Sequence, residues 1–323
     1  LALRFAAAFP VAYQEDVAAG DAIDDITELL LLPETAPALG LQLRPGDTAR
    51  KSLHLRLYRR GEPIAMSDML PLLENFDLRI LNERPYRIGA APGLWIQDLE
   101  VTHAGGRELD PTQSGARFEE AFFATWNGRA ESDGFNRLVL AAGLDWRQAL
   151  VLRAVCRYLL QTGLPFSQRY MEAVLVRHPL IAARLAWLFE ARFDPALAEQ
   201  TRASQLHTLA RELDEEQERV TSPDDDRILR AFRGVIAAAL RTNHYQLDAG
   251  GESKRYLSFK LDPKALPELP KPRPMFEIWV YSPRVEGVHL RMGRVARGGL
   301  RWSDRREDFR TEILGLMKAQ NVK

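Results

Sequence analysis

The first 104 residues combine the helical and strand periodicities of apolar residues. Apolar residues three and four positions apart predict a helix over residues 21–32 and a short helix over 68–75, with Ser67 as its N-cap. Alternating apolar and polar residues predict strands at 53–57, 78–81 and 94–101. The order helix, strand, helix, strand, strand favours a small α+β sandwich with its helices on one face of the sheet.

Strand-like alternation disappears between residues 105 and 245, where helical spacing dominates. Helices are predicted over residues 118–123, 134–142, 146–160, 167–177, 179–193, 195–221 and 227–241. The turn that begins at Ser222 is expected to cap the last of them, and the acidic run from Glu212 to Glu218 is typical of a solvated helix face. We therefore expect a helical domain, either a bundle or a connector.

Residues 246–274 are rich in proline, and this composition predicts a linker or an extended approach to a new domain. Alternation returns at Met275, where the stretches 276–280 and 288–292 predict a β-hairpin. A loop rich in glycine and arginine follows at 293–301. The pattern thus predicts that a further α/β domain begins at 275 and continues to residue 323.

The last predicted helix begins at Asp304, which stands in capping-box spacing with Glu307. Its expected buried stripe consists of Phe309, Ile313, Leu316 and Met317. The helix reaches residue 323 without a capping glycine or a following proline, so we expect the chain to be a piece of a longer protein. The fold class predicted from all these patterns is an α+β multidomain protein.

Composition excludes several classes of function. The chain has 44 basic and 44 acidic residues, whereas nucleic-acid-binding proteins usually carry a basic excess. No apolar run approaches the roughly 20 residues that span a bilayer. Cys156 is the only cysteine and lies in an apolar helical stretch, which favours a buried structural thiol and fits the cytoplasm. The six histidines show no metal-ligand spacing, so no metal site is expected.

Candidate chemistry is concentrated in residues 282–323, where eight arginines face five acidic residues. Gly298 and Gly299 lie between Arg297 and Arg301, and adjacent glycines let backbone donors approach a ligand closely. Guanidinium groups on both sides would suit a dicarboxylate, because arginine binds a carboxylate through two parallel hydrogen bonds in a bidentate contact. A surface loop with salt bridges to the next helix explains the same residue types equally well. No dinucleotide-binding GxGxxG run and no phosphate-binding GxxxxGK[ST] loop occurs in the sequence.

The segment 297–302, Arg-Gly-Gly-Leu-Arg-Trp, resembles the lysine-Gly-Gly-Leu-Arg-aromatic motif of glutamate dehydrogenases. The wider run 282–323 resembles the opening of the catalytic region in the large bacterial NAD-dependent members. Residues 53–88, which include Leu-Pro-Leu-Leu-Glu-Asn at 70–75, resemble an ACT-like domain upstream of that region. The resemblance implies an ACT-like domain at 1–104, a helical domain at 105–245, a proline-rich linker at 246–274 and the start of the catalytic, substrate-binding domain at 275–323.

The resemblance also implies roles for individual residues. The motif lysine that holds a substrate carboxylate falls on Arg297, a departure from the small hexameric enzymes, and a second substrate-binding lysine falls on Lys323. Arg301 is expected to bind substrate as well, with Gly298 and Gly299 supplying loop backbone. The catalytic lysine and the dinucleotide-binding domain would follow residue 323. We therefore expect oxidation of glutamate to 2-oxoglutarate with NAD in the longer protein, and no activity from these 323 residues alone.

A second hypothesis is that the chain serves as a regulatory or oligomerisation module without catalysis of its own. ACT-like sandwiches often bind small effectors or pair edge to edge. An amino-acid effector at residues 1–104 and a homo-oligomeric full-length protein are therefore expectations, alongside glutamate or 2-oxoglutarate as substrate and no nucleic acid or membrane as partner. The alternative for residues 1–104 is a purely packing role.

Overall fold

The computed structural model describes residues 8–35, 37–89, 93–293 and 309–321. The chain divides into two compact units, Leu1–Phe122 and Phe123–Lys323. Both contain helices and an antiparallel sheet, so the predicted α+β multidomain class is confirmed. Within the described ranges, no helix is both long enough and apolar enough to cross a membrane.

The first unit is built on a four-stranded sheet. Its elements in chain order are α1 (Val11–Asp16), α2 (Ala19–Leu31), β1 (Ala38–Pro45), β2 (Ser52–Arg60), α3 (Met66–Glu74), β3 (Leu78–Ile88), β4 (Leu94–His103) and the beginning of α4 (Pro111–Trp126). The strand order is β1-β2-β4-β3, and all neighbouring strands are antiparallel. Strand β1 is an addition to the predicted elements.

The two faces of this sheet differ in chemistry because successive side chains of a strand point to opposite sides. Leu53, Leu55 and Leu57 of β2 are buried on one face. On the other face, Tyr58 belongs to a buried cluster that includes Tyr13 of α1 and Leu29 of α2. Helices α1 and α2 therefore cover the tyrosine face.

Helices α3 and α4 cover the leucine face. A Cβ added at Gly115 of α4 would lie 4.0 Å from the Cβ of Leu43 in β1. Phe76, just after α3, meets Phe118 of α4 edge-on with ring centroids 5.1 Å apart. The prediction of helices on a single face is thus wrong, because the tyrosine face also carries apolar rings that must be covered. Ser67 also lies inside α3, whose N-cap is Ala65.

The second unit joins a helical bundle to a second sheet. After α4 its elements are a 3-10 turn (Gly134–Asn136), α5 (Arg137–Ala141), α6 (Trp146–Leu160), α7 (Gln168–Arg177), α8 (Pro179–Phe193), α9 (Glu199–Gln217), α10 (Pro223–Ala238), β5 (Ala239–Thr242), β6 (Leu257–Leu261), a 3-10 turn (Pro263–Ala265), β7 (Phe276–Tyr281), β8 (Glu286–Arg291) and α11 (Phe309–Asn321). The sheet order is β5-β6-β7-β8, antiparallel throughout.

Local capping fixes the ends of several helices in this unit. Asp145 and Gln148 form a capping box at the start of α6, and the hydroxyls of Ser167 and Ser222 accept backbone N–H bonds at α7 and α10. The predicted helices at 146–160, 167–177 and 179–193 are confirmed. Cys156 is buried in α6, and burial raises the pKa of its thiol, in agreement with the predicted structural role.

The structure differs from the expected linker at residues 246–274. Strand β6 lies within that segment, with Leu257, Phe259 and Leu261 buried, and it pairs with both β5 and β7. Strand β5 likewise replaces the end of the helix predicted over 227–241. The density of prolines after residue 262 obscured the alternation that precedes it, although Leu266 and Leu269 are buried as well.

We expect replacement of Leu185 by alanine to destabilise the second unit by about 2–5 kcal/mol, because its side chain is fully buried in α8 and its loss leaves a cavity. Leu180→Ala in the same helix is the matched control, since Leu180 is 57% exposed and should change stability by about 0.5 kcal/mol or less. Urea unfolding followed by circular dichroism measures both. Equal effects of the two substitutions would contradict this description of the core.

Candidate functional site

The residues predicted to bind substrate, Arg297, Gly298, Gly299, Arg301 and Lys323, lie outside the described residues. The structure does describe the chain on both sides of residues 294–308. Strand β8 and the residues up to Gly293 precede this segment, and α11 follows it. The residues that hold β8 and α11 in place therefore form the described part of the candidate site, and they are called its frame below.

Helix α11 is attached to β7 by a buried ion pair. The side chain of Arg310 is 1% exposed and that of Glu277 is 0% exposed. Arg310 Nε donates to Glu277 Oε2 at 3.0 Å, and Nη2 donates to Oε1, so the contact is the two-pronged form. A buried carboxylate requires such partners, because an unpaired charge in a protein interior is strongly unfavourable.

Two side chains of the α6 region complete this contact. The hydroxyl of Tyr158 donates to Glu277 Oε2 at 2.8 Å, and Gln161 Oε1 accepts the backbone N–H of Arg310 at 3.3 Å. Burial, followed by the charge of Glu277, raises the pKa of Tyr158. Burial alone would lower the pKa of Arg310, but the hydrogen bond and charge of Glu277 outweigh it and the pKa is raised. Arg310 therefore stays charged and Tyr158 stays a donor at neutral pH.

Apolar side chains of α11 and β7 pack around the ion pair. Phe309 stacks on Trp279 of β7 with ring centroids 5.7 Å apart and 10° between the planes. Ile313 and Met317 are buried as predicted, whereas Leu316 is 64% exposed and Leu314 is buried. The helix is rotated relative to the predicted stripe because Arg310 and Leu314 also face the core. The predicted cap, Asp304, lies outside the described residues.

The hairpin of β7 and β8 is tied to α6 by a second set of buried polar contacts. Arg157 Nη2 donates to Glu131 Oε2 at 2.8 Å, and its Nε lies 3.5 Å from Glu286 Oε1 of β8. The hydroxyl of Tyr281 in β7 also donates to Glu131 Oε2, at 3.1 Å. Both strands before residues 294–308 are therefore fixed against the same helix that holds α11.

The sequence analysis missed the frame residues Glu277, Arg310 and Tyr158. Phe276, Ile278 and Val280 had suggested an apolar face of β7, but the buried face carries Glu277, Trp279 and Tyr281. The two aromatic residues beside Glu277 were the available signal. Among the described residues, no group of three or more His, Cys, Asp and Glu side chains could hold a metal ion.

The first unit contains its own buried polar cluster, centred on Asp25 of α2, whose side chain is fully buried. Its carboxylate accepts hydrogen bonds from the hydroxyls of Tyr13 and Tyr58, at 2.5 Å and 2.7 Å. Arg56 Nη1 donates to it at 2.5 Å, and Arg44 Nη2 lies 3.0 Å away. Burial, followed by the interactions with Asp25, raises the pKa of Tyr13 and keeps its hydroxyl a donor.

A polar cavity of about 480 Å³ opens beside this cluster on the same face of the sheet. Its lining is almost evenly balanced between cationic and anionic side chains. The residues are Asp16, Asp21, Arg44, Pro45, Gly46, His54, Arg56, Asn82, Arg84, Tyr86, Asp98 and Glu100. Arg44 Nη1 and Arg56 Nε are buried and have no acceptor within hydrogen-bond distance among the described residues.

Four family models match consecutive parts of the chain. They are "Glutamate dehydrogenase, helical motif 2" at residues 1–32, "Glutamate dehydrogenase, ACT3 domain" at 39–114, "Glutamate dehydrogenase, helical motif 3" at 130–195 and "Bacterial NAD-glutamate dehydrogenase, catalytic domain" at 212–323. The last match begins upstream of residue 275 and includes α10 and all four strands of the second sheet.

Curated relatives match along the whole chain. The NAD-specific glutamate dehydrogenases of Halomonas elongata and Pseudomonas aeruginosa are each 47% identical over 99% of it. The NAD-specific glutamate dehydrogenase of Mycobacterium tuberculosis is 43% identical over 100% of it. The chain spans about 20% of the length of each of these relatives.

We expect His54 and His103 of the first unit to titrate on opposite sides of the ordinary histidine pKa of about 6.5. A 2.8 Å hydrogen bond to Asp98 raises the pKa of His54, whereas burial lowers that of His103. The stabilisation from the His54–Asp98 pair should therefore be complete below about pH 6.5 and be lost as pH rises through the raised pKa.

Side-chain NMR titration of both histidines measures this, with Asp98→Asn as the test variant and His103 as the internal reference. The substitution should lower the pKa of His54 and leave His103 unchanged. A wild-type His54 that titrates at or below the ordinary value would contradict the ion pair.

Proposed function

Because the chain belongs to the family of large bacterial NAD-specific glutamate dehydrogenases, we propose that the protein containing it converts L-glutamate, NAD and water to 2-oxoglutarate, ammonia and NADH. The observation that carries the proposal is the continuous match over residues 212–323 to a catalytic-domain model, and the buried contacts that hold the elements on both sides of 294–308 agree with it.

In this proposal Arg297, Arg301 and Lys323 bind the carboxylates of the substrate, and the backbone at Gly298 and Gly299 approaches it closely. A five-carbon dicarboxylate held by cations at both ends is fixed in orientation as well as in charge, which favours reaction. Arginine at position 297 keeps the charge of the family's lysine but is longer and planar, so the pocket must differ in shape from that of the small hexameric enzymes.

NAD is the cofactor in this proposal and would accept the hydride. The described residues do not offer a frame for it, since a dinucleotide fold needs parallel strands with a glycine-rich turn. Both sheets that the structure describes are antiparallel. The proposed contribution of residues 212–323 is therefore substrate binding, with no catalytic or cofactor-binding residue assigned to them.

The domain organisation is also part of the proposal. We assign an ACT-like domain to residues 1–104, a helical domain to 105–245, a proline-rich segment to 246–274 and the start of the catalytic domain to 275–323. Strands β7 and β8 share their sheet with β5 and β6, and the family match begins at residue 212, so elements upstream of residue 275 pack with the start of this domain. A cytoplasmic homo-oligomer is the proposed state of the full-length protein.

In the full-length protein we expect Arg297→Ala and Lys323→Ala each to raise the KM for glutamate by roughly 10-fold or more, since each removes one charge-assisted carboxylate contact worth about 1.5–3 kcal/mol. Thermal stability of the unliganded enzyme should change little, because a contact with substrate cannot stabilise the fold when the substrate is absent. NADH absorbance against glutamate concentration gives the kinetic constants.

Arg284→Ala is the matched control, since Arg284 is an exposed arginine in the turn between β7 and β8. It should leave the KM for glutamate unchanged. Wild-type kinetics in both test variants, together with a lower melting temperature, would mean that Arg297 and Lys323 stabilise the fold and do not bind substrate. A wild-type enzyme without glutamate-dependent NADH formation would contradict the proposed activity itself.

The polar cavity of the first unit supports binding of an amino-acid effector. Arg44, Arg56 and Arg84 could receive a carboxylate, and Asp21 and Glu100 could receive an ammonium group. The near balance of charges along the lining favours a ligand without net charge, and an amino-acid zwitterion has this property. The volume of the cavity also falls in the usual range of small-molecule sites, about 300–1,000 Å³.

Calorimetry on the full-length protein with the twenty amino acids tests this. At least one should bind saturably, and Arg84→Gln should weaken that binding roughly 10-fold, because a charge-assisted contact is worth about 1.5–3 kcal/mol. Arg79→Gln on the same strand is the control, since Arg79 is exposed and does not line the cavity. The absence of heat with every amino acid, or equal binding by both variants, would leave the first unit with a packing role.

A further inference from the structure

We propose that Arg310 is a positioning residue for the binding of glutamate: held by Glu277 and Tyr158, it fixes in one register the helix α11, which lies in the sequence between the two predicted substrate cations. The inference rests on the proposed function, because it assigns a role in the binding of glutamate. It goes beyond the family motif, which contains neither Arg310 nor its two partners.

The place of Arg310 in the sequence makes it suited to this role. It stands thirteen residues after Arg297 and thirteen residues before Lys323. The register of α11 therefore sets where the chain enters and leaves this helix. A slide of four residues would shift the end of the helix by about 6 Å, since each residue of an α-helix rises about 1.5 Å. This shift is about twice the length of a hydrogen bond.

The apolar contacts of α11 cannot prevent such a slide by themselves. Phe309, Ile313 and Met317 recur every four residues along the buried stripe. After a shift by four residues, Ile313 would stand where Phe309 stood and Met317 would stand where Ile313 stood. Apolar contacts are not directional, so the shifted packing would still bury apolar surface.

The ion pair allows only one register. Glu277 is fully buried, and Arg310 is the guanidinium that α11 brings to it. A slide would leave the Glu277 carboxylate with Tyr158 as its remaining described donor, and an uncompensated buried charge is strongly unfavourable. Buried ion pairs often add little net stability, and their best-attested use is to select one arrangement among similar ones.

Rotation of the helix is restricted as well. The Arg310 guanidinium meets Glu277 through two nitrogens, and the Arg310 backbone N–H donates to Gln161. Side chain and backbone of the same residue are thus attached to β7 and to the α6 region. Both attachments are made by Arg310, which is the second described residue after the segment 294–308.

Arg310→Lys in the full-length enzyme tests the role, because lysine keeps the charge but cannot form the two-pronged contact. We expect the KM for glutamate and the inhibition constant of 2-oxoglutarate to rise at least ~10-fold, since a misplacement of about 1 Å can cost 10²-fold. The KM for NAD should not change. Tyr158→Phe removes one donor and leaves the ion pair, so its effect should be smaller and in the same direction.

Arg153→Lys is the matched control. Arg153 is also a fully buried arginine of the second unit, paired with Asp133, and makes no hydrogen bond or ion pair with the described residues of α11. It should lower the melting temperature as much as Arg310→Lys does while leaving the KM for glutamate unchanged. This split between stability and substrate binding separates positioning from a general structural role.

The outcomes are distinguishable. An active wild type whose Arg310→Lys variant keeps its KM for glutamate overturns the positioning role and leaves the proposed function intact. Equal increases in KM for Arg310→Lys and Arg153→Lys overturn it too, because the effect would then be one of stability. A wild type that forms no NADH from glutamate overturns the proposed function and, with it, this inference.

Discussion

Glu277 places a carboxylate where no part of its side chain is exposed, and the second unit is organised around the partners this requires. Arg310 and Tyr158 supply them from positions 33 and 119 residues away in the sequence. A single buried charge thereby connects β7, α6 and α11. Because removing any one partner leaves the others unmatched, these three elements are constrained to fold against one another in one arrangement.

The first unit follows the same physical scheme with different elements. Asp25 of α2 accepts hydrogen bonds from Tyr13 of α1 and Tyr58 of β2 and pairs with two arginines of the sheet, and it too has no exposed side-chain surface. The tyrosine face is therefore held by polar contacts as well as by apolar packing. That face thus combines a buried polar cluster around Asp25 with a polar cavity whose charges are nearly balanced.

Features with local causes were predictable from the sequence, and features with distant causes were not. Helix α6 was predicted to the residue from the helical spacing of its own apolar residues, and the capping box that begins it, Asp145 to Gln148, is equally local. The face of β7 that is buried was not, since only the packing of Trp279 and Tyr281 decides it. The partner of Arg310 lies on a strand 33 residues earlier, and no spacing rule relates two such positions. The substrate-binding residues came from a motif, so they rest on resemblance rather than on packing.

The position of Asp25 bears on how this chain could have been assembled from modules. The match to the ACT3 model begins at residue 39, whereas Asp25 lies in the upstream segment that matches helical motif 2. A sheet inherited without that helix would lose the carboxylate that binds Arg44 and Arg56 and the apolar side chains that cover Tyr58. Exchange of the sandwich between proteins at residue 39 would thus expose an apolar face and remove the main counter-charge of two arginines. The two modules are separate as sequence families but must travel together as one heritable piece.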